Sequence, residues 1–456
     1  MNPVRAIVLA CALLFLACPA FAGETEELKQ MLQAMQQKIQ ALETKIDDLE
    51  KKESERAVAE SEAATKTQAA ATDENVFSKT LKEAKADLGE LKNTFDTRFG
   101  KFTIHGNFIG YVQGDNAVDI AGIYYPENAG AGFSTNLMIN WIPVEDTELY
   151  FQLQYANGLG PDKDLRNNNA ILARLNKITT DPDPNNPSVV LKYAMLTQYL
   201  YDRKLFFSLG KADQETYIDQ NVYAGDAYSQ FLGMPFNKDP VLDIEDDQTP
   251  MFAVGYNPTP EFGVTAMFNS SSTALAAPQN KKNGFDDIFM TPFLGGEVTW
   301  SPKFDGRQGN YRFYGWTQTY PHPVLTNNPN ETGDQPGYAF GVSFDQEVSD
   351  MVGLFMRGGY HNEAVYTMPW TVAYGASLKG LIPGRDDDVL GLGIAQVWSN
   401  PTIYTGGIEH HFEAYYRYAF NQYFAVAPDF QAVVQPQGDS GNPAVLSGAI
   451  RGEFHF

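Results

Sequence analysis

Apolar and polar residues alternate along most of residues 100–456. The C-terminal segment shows the pattern in its simplest form. Its apolar face contains Leu446, Ile450, Phe454 and Phe456, and its polar face contains Ser447, Arg451, Glu453 and His455. A period of two residues predicts a β-strand with water on one side and an apolar medium on the other. An aromatic residue at the end of such a strand is typical of bacterial outer-membrane barrels.

The alternation recurs in sixteen segments of about ten residues, the length that a tilted strand needs to cross membrane hydrocarbon. Their centres lie near residues 107, 137, 152, 194, 208, 254, 266, 295, 314, 342, 357, 374, 393, 414, 429 and 450. We therefore predict an all-β transmembrane fold, a sixteen-stranded antiparallel outer-membrane β-barrel preceded by an α-helical coiled-coil segment. The side chains predicted to face lipid are Phe313, Phe340, Leu354 and Phe430. A large soluble two-sheet sandwich is the alternative.

The predicted connections between strands alternate in length. Those after even-numbered strands are short, as at residues 144–146, 202–203 and 421–422, whereas those after odd-numbered strands are long, as at 159–187 and 213–249. Short periplasmic turns and long external loops are the rule in outer-membrane barrels. The asymmetry predicts that both ends of the barrel sequence face the periplasm.

The N-terminus, residues 1–22, has the pattern of a secretory signal peptide, with Arg5 before an apolar run and a small-residue cleavage site. Cys18 admits a lipoprotein anchor as an alternative. Both cysteines, Cys11 and Cys18, lie in this segment, so the mature chain would contain no thiol. That composition suits the oxidising periplasm.

A heptad pattern occupies residues 23–99 and predicts a periplasmic coiled-coil and linker segment before the barrel domain, residues 100–456. The first seam has Leu32, Ile39 and Ile46 at a, and Leu28, Met35, Leu42 and Leu49 at d. The second seam keeps the phase, with Leu81, Leu88 and Phe95 at a, and Phe77, Ala84 and Leu91 at d. Two interpretations remain open: solvated amphipathic helices joined by a flexible linker, or self-association through the seams.

The alternation of side chains along a strand also predicts which residues face the barrel interior, since the residues before and after a lipid-facing residue in sequence point to the opposite side. The residues predicted to line a pore in this way are Arg312, Tyr314, Trp316, Arg357, Glu413, Arg417, Glu297 and Lys192. Arginine and carboxylate groups can bind the hydroxyls of a sugar, and aromatic faces its apolar side. We expect Arg312, Arg357 and Arg417 to form a cluster. In the alternative interpretation, the interior charges only pair with one another.

Charge excludes some functions. The chain has 33 basic and 56 acidic residues, a net charge of −23, which argues against nucleic acid as a partner. The acidic residues Asp239, Asp243, Glu245, Asp246 and Asp247 are interpreted as a solvated external loop, with Ca²⁺ binding as the alternative. Asp386, Asp387 and Asp388 are interpreted as a solvated turn. The six histidines lack the spacing of a metal site or a partner serine, so we predict no catalytic residue, metal or cofactor.

Several stretches of residues 100–456 resemble the carbohydrate-selective porins of bacterial outer membranes. They are residues 309–316, 378–380 with 383–391, 413–418, and 428–431 with Pro436. The resemblance implies a sixteen-stranded pore in outer-membrane lipid that passes monosaccharides down a gradient, and it allows a homotrimer. Residues 223–232 follow only part of the family's pattern, which leaves the sugar preference open. The helical extension suggests a spacer or a tether to a periplasmic or cell-wall partner.

The predicted function is therefore passive diffusion of small carbohydrates through an outer-membrane porin. Two alternatives remain: a general or ion-selective porin, and a mainly structural barrel that anchors a periplasmic coiled coil.

Overall fold

The computed structural model describes residues 100–158, 160–165, 169–178, 189–241, 249–270, 288–289, 292–328 and 333–456. The predicted signal peptide and both heptad seams lie outside these residues. Helical structure within them comprises one short helix, α1 (Met234–Asn237), and the 3-10 turns Gly160–Lys163, Gln214–Thr216 and Pro436–Gly438. No helix in these described segments is long and apolar enough to cross a membrane.

Antiparallel β-strands make up most of the described residues. They are β1 (Lys101–Asp115), β2 (Val118–Ile120), β3 (Ile123–Tyr125), β4 (Asn128–Ile142), β5 (Thr147–Asn157), β6 (Val190–Leu200), β7 (Leu205–Ala212), β8 (Thr249–Thr259), β9 (Phe262–Ser270), β10 (Pro292–Trp300), β11 (Lys303–Phe304), β12 (Arg307–Pro323), β13 (Asp334–Ser349), β14 (Val352–His361), β15 (Trp370–Lys379), β16 (Val389–Trp398), β17 (Ile408–Ala419), β18 (Phe424–Val434) and β19 (Val445–His455). All sixteen predicted centres fall within a strand, because alternation of apolar and polar residues suits a two-faced sheet.

The main sheet closes on itself. It has seventeen strands, of which the two-residue β11 only extends a hairpin, so sixteen form the ring. β1 pairs with β4 on one side and with β19 on the other. In the β1–β19 ladder, Tyr111 lies opposite Arg451 and Asp115 opposite Ser447. A ring has no free edge, which is the condition for a sheet to span a membrane. The predicted barrel is confirmed, and the sandwich is excluded.

The two faces of the ring differ in exposure. The four side chains predicted to face lipid are exposed on the outer face: Phe313 by 52%, Phe340 by 63%, Leu354 by 44% and Phe430 by 53%. Their strand neighbours point inward and are mostly buried, as Arg312 and Tyr314 are on either side of Phe313. The lumen of this barrel is therefore largely filled.

Within the described residues, two long connections fold into the lumen and contribute to its filling. Loop A, the described part of residues 160–178, connects β5 to β6 and packs Leu165, Ile171 and Leu175 against Val433 and Val445 of the inner wall.

Loop B, residues 213–241, follows β7 and contains α1. Its Phe231 and Phe236 pack on Phe355 and Tyr415, which face inward from β14 and β17. Its two ends, at Ile218 and Val241, join an apolar cluster with Trp316 and Phe293 on β12 and β10. Gly359 permits this seating, because a Cβ there would overlap the Val241 side chain and the backbone oxygen of Phe340.

The interpretation of two acidic segments as solvated was wrong at one residue of each, Asp239 and Asp388, whereas Asp386 and Asp387 are exposed as expected. Asp239 is fully buried rather than solvated, because loop B turns inward and the Asp239 carboxylate accepts hydrogen bonds from Tyr314 Oη (2.7 Å) and Thr371 Oγ1. Asp388 is also buried, since Arg385 Nη2 binds its Oδ1 at 2.5 Å and Tyr416 Oη donates to its Oδ2 at 2.6 Å. The other acidic residues of the first segment, from Asp243 to Asp247, lie outside the described residues.

Candidate functional site

Carboxylates on the inner wall hold loop B by its backbone. Glu413 accepts hydrogen bonds from the N–H groups of Leu232 (2.5 Å) and Gly233 (2.8 Å). Glu297 Oε2 accepts one from the N–H of Asp219 at 3.0 Å. Buried N–H groups need partners, and a carboxylate is a strong acceptor. Glu297 and Glu413, both predicted to line a pore, therefore act as anchors of loop B.

Loop A is held in the same way by a carboxylate that was not among the predicted residues. Glu409, fully buried on β17, accepts hydrogen bonds from the N–H groups of Leu172 (2.9 Å) and Ala173 (3.3 Å). It also accepts one from the Gln437 N–H at 2.8 Å, and its Oε1 lies 2.7 Å from His411 Nε2. Four donors thus converge on one side chain. Its inward position follows from the strand period, but its role depends on where loop A folds.

The three arginines expected to form a cluster each bind a different carboxylate. Arg312 Nη1 lies 2.6 Å from Asp345 Oδ2, and Arg417 Nε lies 2.8 Å from Glu453 Oε2. Arg357 Nε lies 3.3 Å from Asp219 Oδ1, and its Nη1 donates to the backbone oxygen of Phe236 at 2.7 Å. Arg357 is 0% exposed. It therefore binds loop B rather than water in this conformation.

The two predicted aromatic residues face inward, and their rings are covered. Tyr314 and Trp316 are each 4% exposed. The Trp316 ring stacks on Phe293 with centroids 5.2 Å apart and meets His361 edge-on at 5.6 Å. Their faces are occupied by protein side chains, so they support the wall beneath loop B.

Lys192 belongs to a group of cations around Glu215 of loop B. Glu215 Oε1 lies 2.5 Å from Lys177 Nζ and 3.6 Å from Lys238 Nζ. Burial alone would raise the pKa of the Glu215 carboxyl. The positive charges of Lys177, Lys238 and Lys192 together outweigh burial and lower this pKa to about 2. Glu215 is therefore ionised at neutral pH.

A β-bulge explains the position of Lys192. Gln152 pairs with Tyr193, and the next residue, Leu153, pairs with Leu191, so Lys192 is the extra residue in β6. A bulge re-aims a side chain relative to the strand alternation. The bulge, rather than the regular parity from which Lys192 was predicted, accounts for a position at which its charge lowers the pKa of Glu215.

Among the described residues, one part of the lumen, the open side next to β5 and β6, is more accessible to solvent than the rest. Most inward-facing residues in the middle of β13 to β19 are buried, as Ser343, Arg357, Ala395 and Ala427 show. Those in the middle of β5 and β6 are half-buried: Tyr150, Gln152, Tyr193 and Thr197. Lys177 and Glu215 also keep 20% and 31% of their side-chain surface exposed. Water therefore reaches the interior along β5 and β6.

Sequence reasoning missed the loop side chains Lys177, Glu215 and Lys238. Loops carry no strand period, and only the length of these connections signalled that they could fill a lumen. Among the described residues, no group of three or more histidine, cysteine or acidic side chains is arranged to hold a metal ion.

A closed barrel whose long connections fold back into its own lumen is the architecture of an outer-membrane porin. A family model described as "Carbohydrate-selective porin, OprB family" matches residues 127–456, and the chain belongs to this family. The chain is thus a carbohydrate porin of the bacterial outer membrane. The family and the fold are those of a channel rather than an enzyme.

Two solved structures of OprB from Pseudomonas putida are similar to the chain. The high-pH structure has a TM-score of 0.67 at 16% identity, and the low-pH structure a TM-score of 0.52 at 15% identity. Both alignments cover 81% of this chain and 97% of the other. At these identities the likeness shows the fold alone. No curated protein sequence matches the chain.

Proposed function

We propose that the barrel passes monosaccharides down their concentration gradient along the open side of the lumen, next to β5 and β6. The observation that supports this route is the half-burial of Tyr150, Gln152 and Tyr193, in contrast to the covered wall elsewhere. A hydrophilic solute needs polar groups that can replace its water during passage. Half-buried hydroxyl, amide and charged groups meet that need.

The predicted pore-lining residues divide into two proposed roles. The half-buried Lys192 on β6 is proposed to contact the solute. Arg417 on β17 and Arg312 on β12 lie away from β5 and β6 and are proposed to act through their ion pairs with Glu453 and Asp345. The covered residues are proposed to act indirectly by fixing loop B and the wall: Arg357, Glu413, Glu297, Tyr314 and Trp316.

Reconstitution tests the proposal directly. Proteoliposomes should swell in isotonic glucose, and more slowly in a disaccharide of the same concentration. Glucose titrated into a planar bilayer should reduce the single-channel conductance in a saturable way. Conductance without sugar block would favour the general or ion-selective porin, and absence of conductance would favour the structural barrel.

We further propose that residues 23–99 lie in the periplasm and that the protein self-associates as a trimer, with the heptad seams contributing. A single orientation of insertion would bring all N-termini to one side of the membrane, as a parallel coiled coil requires. Ile at a with Leu at d favours two strands by itself. We therefore assign the seams a contributing role, and a periplasmic or cell-wall partner is the second candidate for them.

A further inference from the structure

We propose that amide and tyrosine side chains on β5 and β6 bind the ring and hydroxyl groups of the passing sugar. The amide–tyrosine wall consists of the half-buried Tyr150, Gln152 and Tyr193, which contact the sugar, and of the buried Asn136 and Gln154, which support them from behind. The inference rests on the proposed function and adds the residues that set sugar preference. None of these side chains is charged, so none was among the residues predicted from inward-facing charge.

Hydrogen bonds hold the wall in one arrangement. Tyr150 Oη donates to Gln152 Oε1 at 2.8 Å, and Gln152 Nε2 donates to Asn136 Oδ1 at 2.8 Å. Asn136 Nδ2 and Gln154 Nε2 both donate to Tyr228 Oη, at 3.1 and 3.0 Å. Because Tyr228 belongs to loop B, the wall is fixed from the strands and from the loop. Its donors and acceptors are therefore positioned before a solute arrives.

Gln152 has hydrogen-bonding capacity beyond these contacts. An amide side chain has two N–H donors and an oxygen with two lone pairs. Within the part of the chain that the structure describes, the side chain of Gln152 uses one donor and one lone pair. Since Gln152 is half-buried on the open side of the lumen, its second donor and lone pair meet water there. A sugar hydroxyl both donates and accepts, so it can replace that water.

Two tyrosines beside Gln152 supply the apolar part of the surface. The rings of Tyr150 and Tyr193 are tilted by 57°, with centroids 6.0 Å apart. Tyr193 Oη donates to Asp213 Oδ2 at 2.5 Å, which fixes the orientation of its ring. Both rings are half-buried, so one flank of the pair faces the lumen. A pyranose presents an apolar CH face that suits an aromatic surface, while its hydroxyls need the neighbouring amide.

The position of the wall supports a binding role over a purely structural one. Elsewhere in the lumen, polar groups are buried and must find protein partners. Tyr150 and Gln152 are half-buried and can bond to water, so folding does not require the hydrogen bond between them. A neutral surface also binds a neutral solute weakly enough to release it, as passage through a channel requires.

Glucose block of single channels in planar bilayers tests the inference. The test variants are Gln152→Leu and Tyr150→Phe. The control is Tyr415→Phe, which makes the same change on a ring that is 1% exposed beneath loop B. We expect Gln152→Leu to raise the dissociation constant for block about three- to tenfold, the loss of one neutral hydrogen bond. Tyr150→Phe should raise it less, and Tyr415→Phe not at all.

Conductance without sugar separates binding from structure. It should be unchanged in Tyr415→Phe, because that hydroxyl lies outside the amide–tyrosine wall. In Gln152→Leu and Tyr150→Phe, the dissociation constant for block should change by a larger factor than the conductance without sugar, whereas a loosened wall would change both by a similar factor. Equal dissociation constants in the wild type and Gln152→Leu would overturn the inference while leaving the proposed function intact. A wild type that conducts ions without any block by glucose would instead contradict the proposed function itself.

Discussion

At the scale of residues, three inward carboxylates of this barrel, Glu297, Glu409 and Glu413, accept hydrogen bonds from the backbone of the lumen loops. Glu409 is the clearest case, because three backbone N–H groups and His411 converge on it. Charge-assisted hydrogen bonds to a buried carboxylate are stronger than neutral ones. Such a side chain fixes the position of a loop that has no regular secondary structure to hold it.

Glu409→Gln should loosen loop A. The new NH₂ group would face backbone N–H donors, so at least one buried donor loses its acceptor at a cost of about 1–3 kcal/mol. We expect a lower temperature of barrel unfolding, measured by heat-dependent mobility on gels, and noisier single-channel currents. Glu347→Gln, at a side chain 37% exposed and paired with Arg307, is the matched control. Equal unfolding temperatures for the two variants would contradict the anchoring role.

Asp388 gives a pH-dependent prediction. Burial raises the pKa of its carboxyl, but hydrogen bonds from Arg385, Tyr416 and the Ala419 N–H lower it to about 2. Because the folded pKa lies below the unfolded value of about 3.9, the stabilisation is complete above pH 4 and is lost as the pH falls through 2. Asp388→Asn should therefore unfold at a lower temperature than the wild type at pH 7, with the difference disappearing near pH 2. A difference that persists there would refute this account.

At the scale of elements, the strands could be predicted from the sequence and the loops could not. Alternation fixes which side of a strand faces lipid, so Phe313 and Phe340 were placed correctly. A bulge interrupts that rule at Lys192, and nothing in the local sequence of β6 marks it. The partners of Arg357 and the burial of Asp239 depend on how loop B crosses the lumen. That path is set by tertiary contacts distant in sequence.

Gly359 offers a test of how loop B is seated. A methyl group there would overlap Val241 and the backbone oxygen of Phe340, so Gly359→Ala should displace the end of loop B. We expect a changed single-channel conductance and a lower unfolding temperature. Gly448→Ala is the control, because a Cβ at that strand position has no atom within 4 Å. Identical conductance in both variants would show that the end of loop B does not shape the conducting path.

At the scale of the whole molecule, the proposed assembly is open to experiment. Ile39→Asp and Ile46→Asp together would place carboxylates at two a positions of the first seam, where burial of a charge is costly. We expect the detergent-extracted double variant to have a lower mass by light scattering than the wild type, with the unfolding temperature of the barrel unchanged. If the wild type itself has the mass of a monomer, the proposed trimer is wrong, and the heptad seam would instead bind a different partner.

Closure of the ring also sets an order of events during assembly. The ladder between β1 and β19 joins residues far apart in sequence, as the bond from Gln113 to Ser447 across 334 positions illustrates. Until β19 pairs with β1, one edge of β1 has no partner strand, so the partly formed sheet has an unpaired edge. The anchors of loops A and B also lie on later strands, among them β10 and β17. These anchoring contacts therefore cannot form until β10 and β17, which are synthesised after the loops they hold, have joined the sheet.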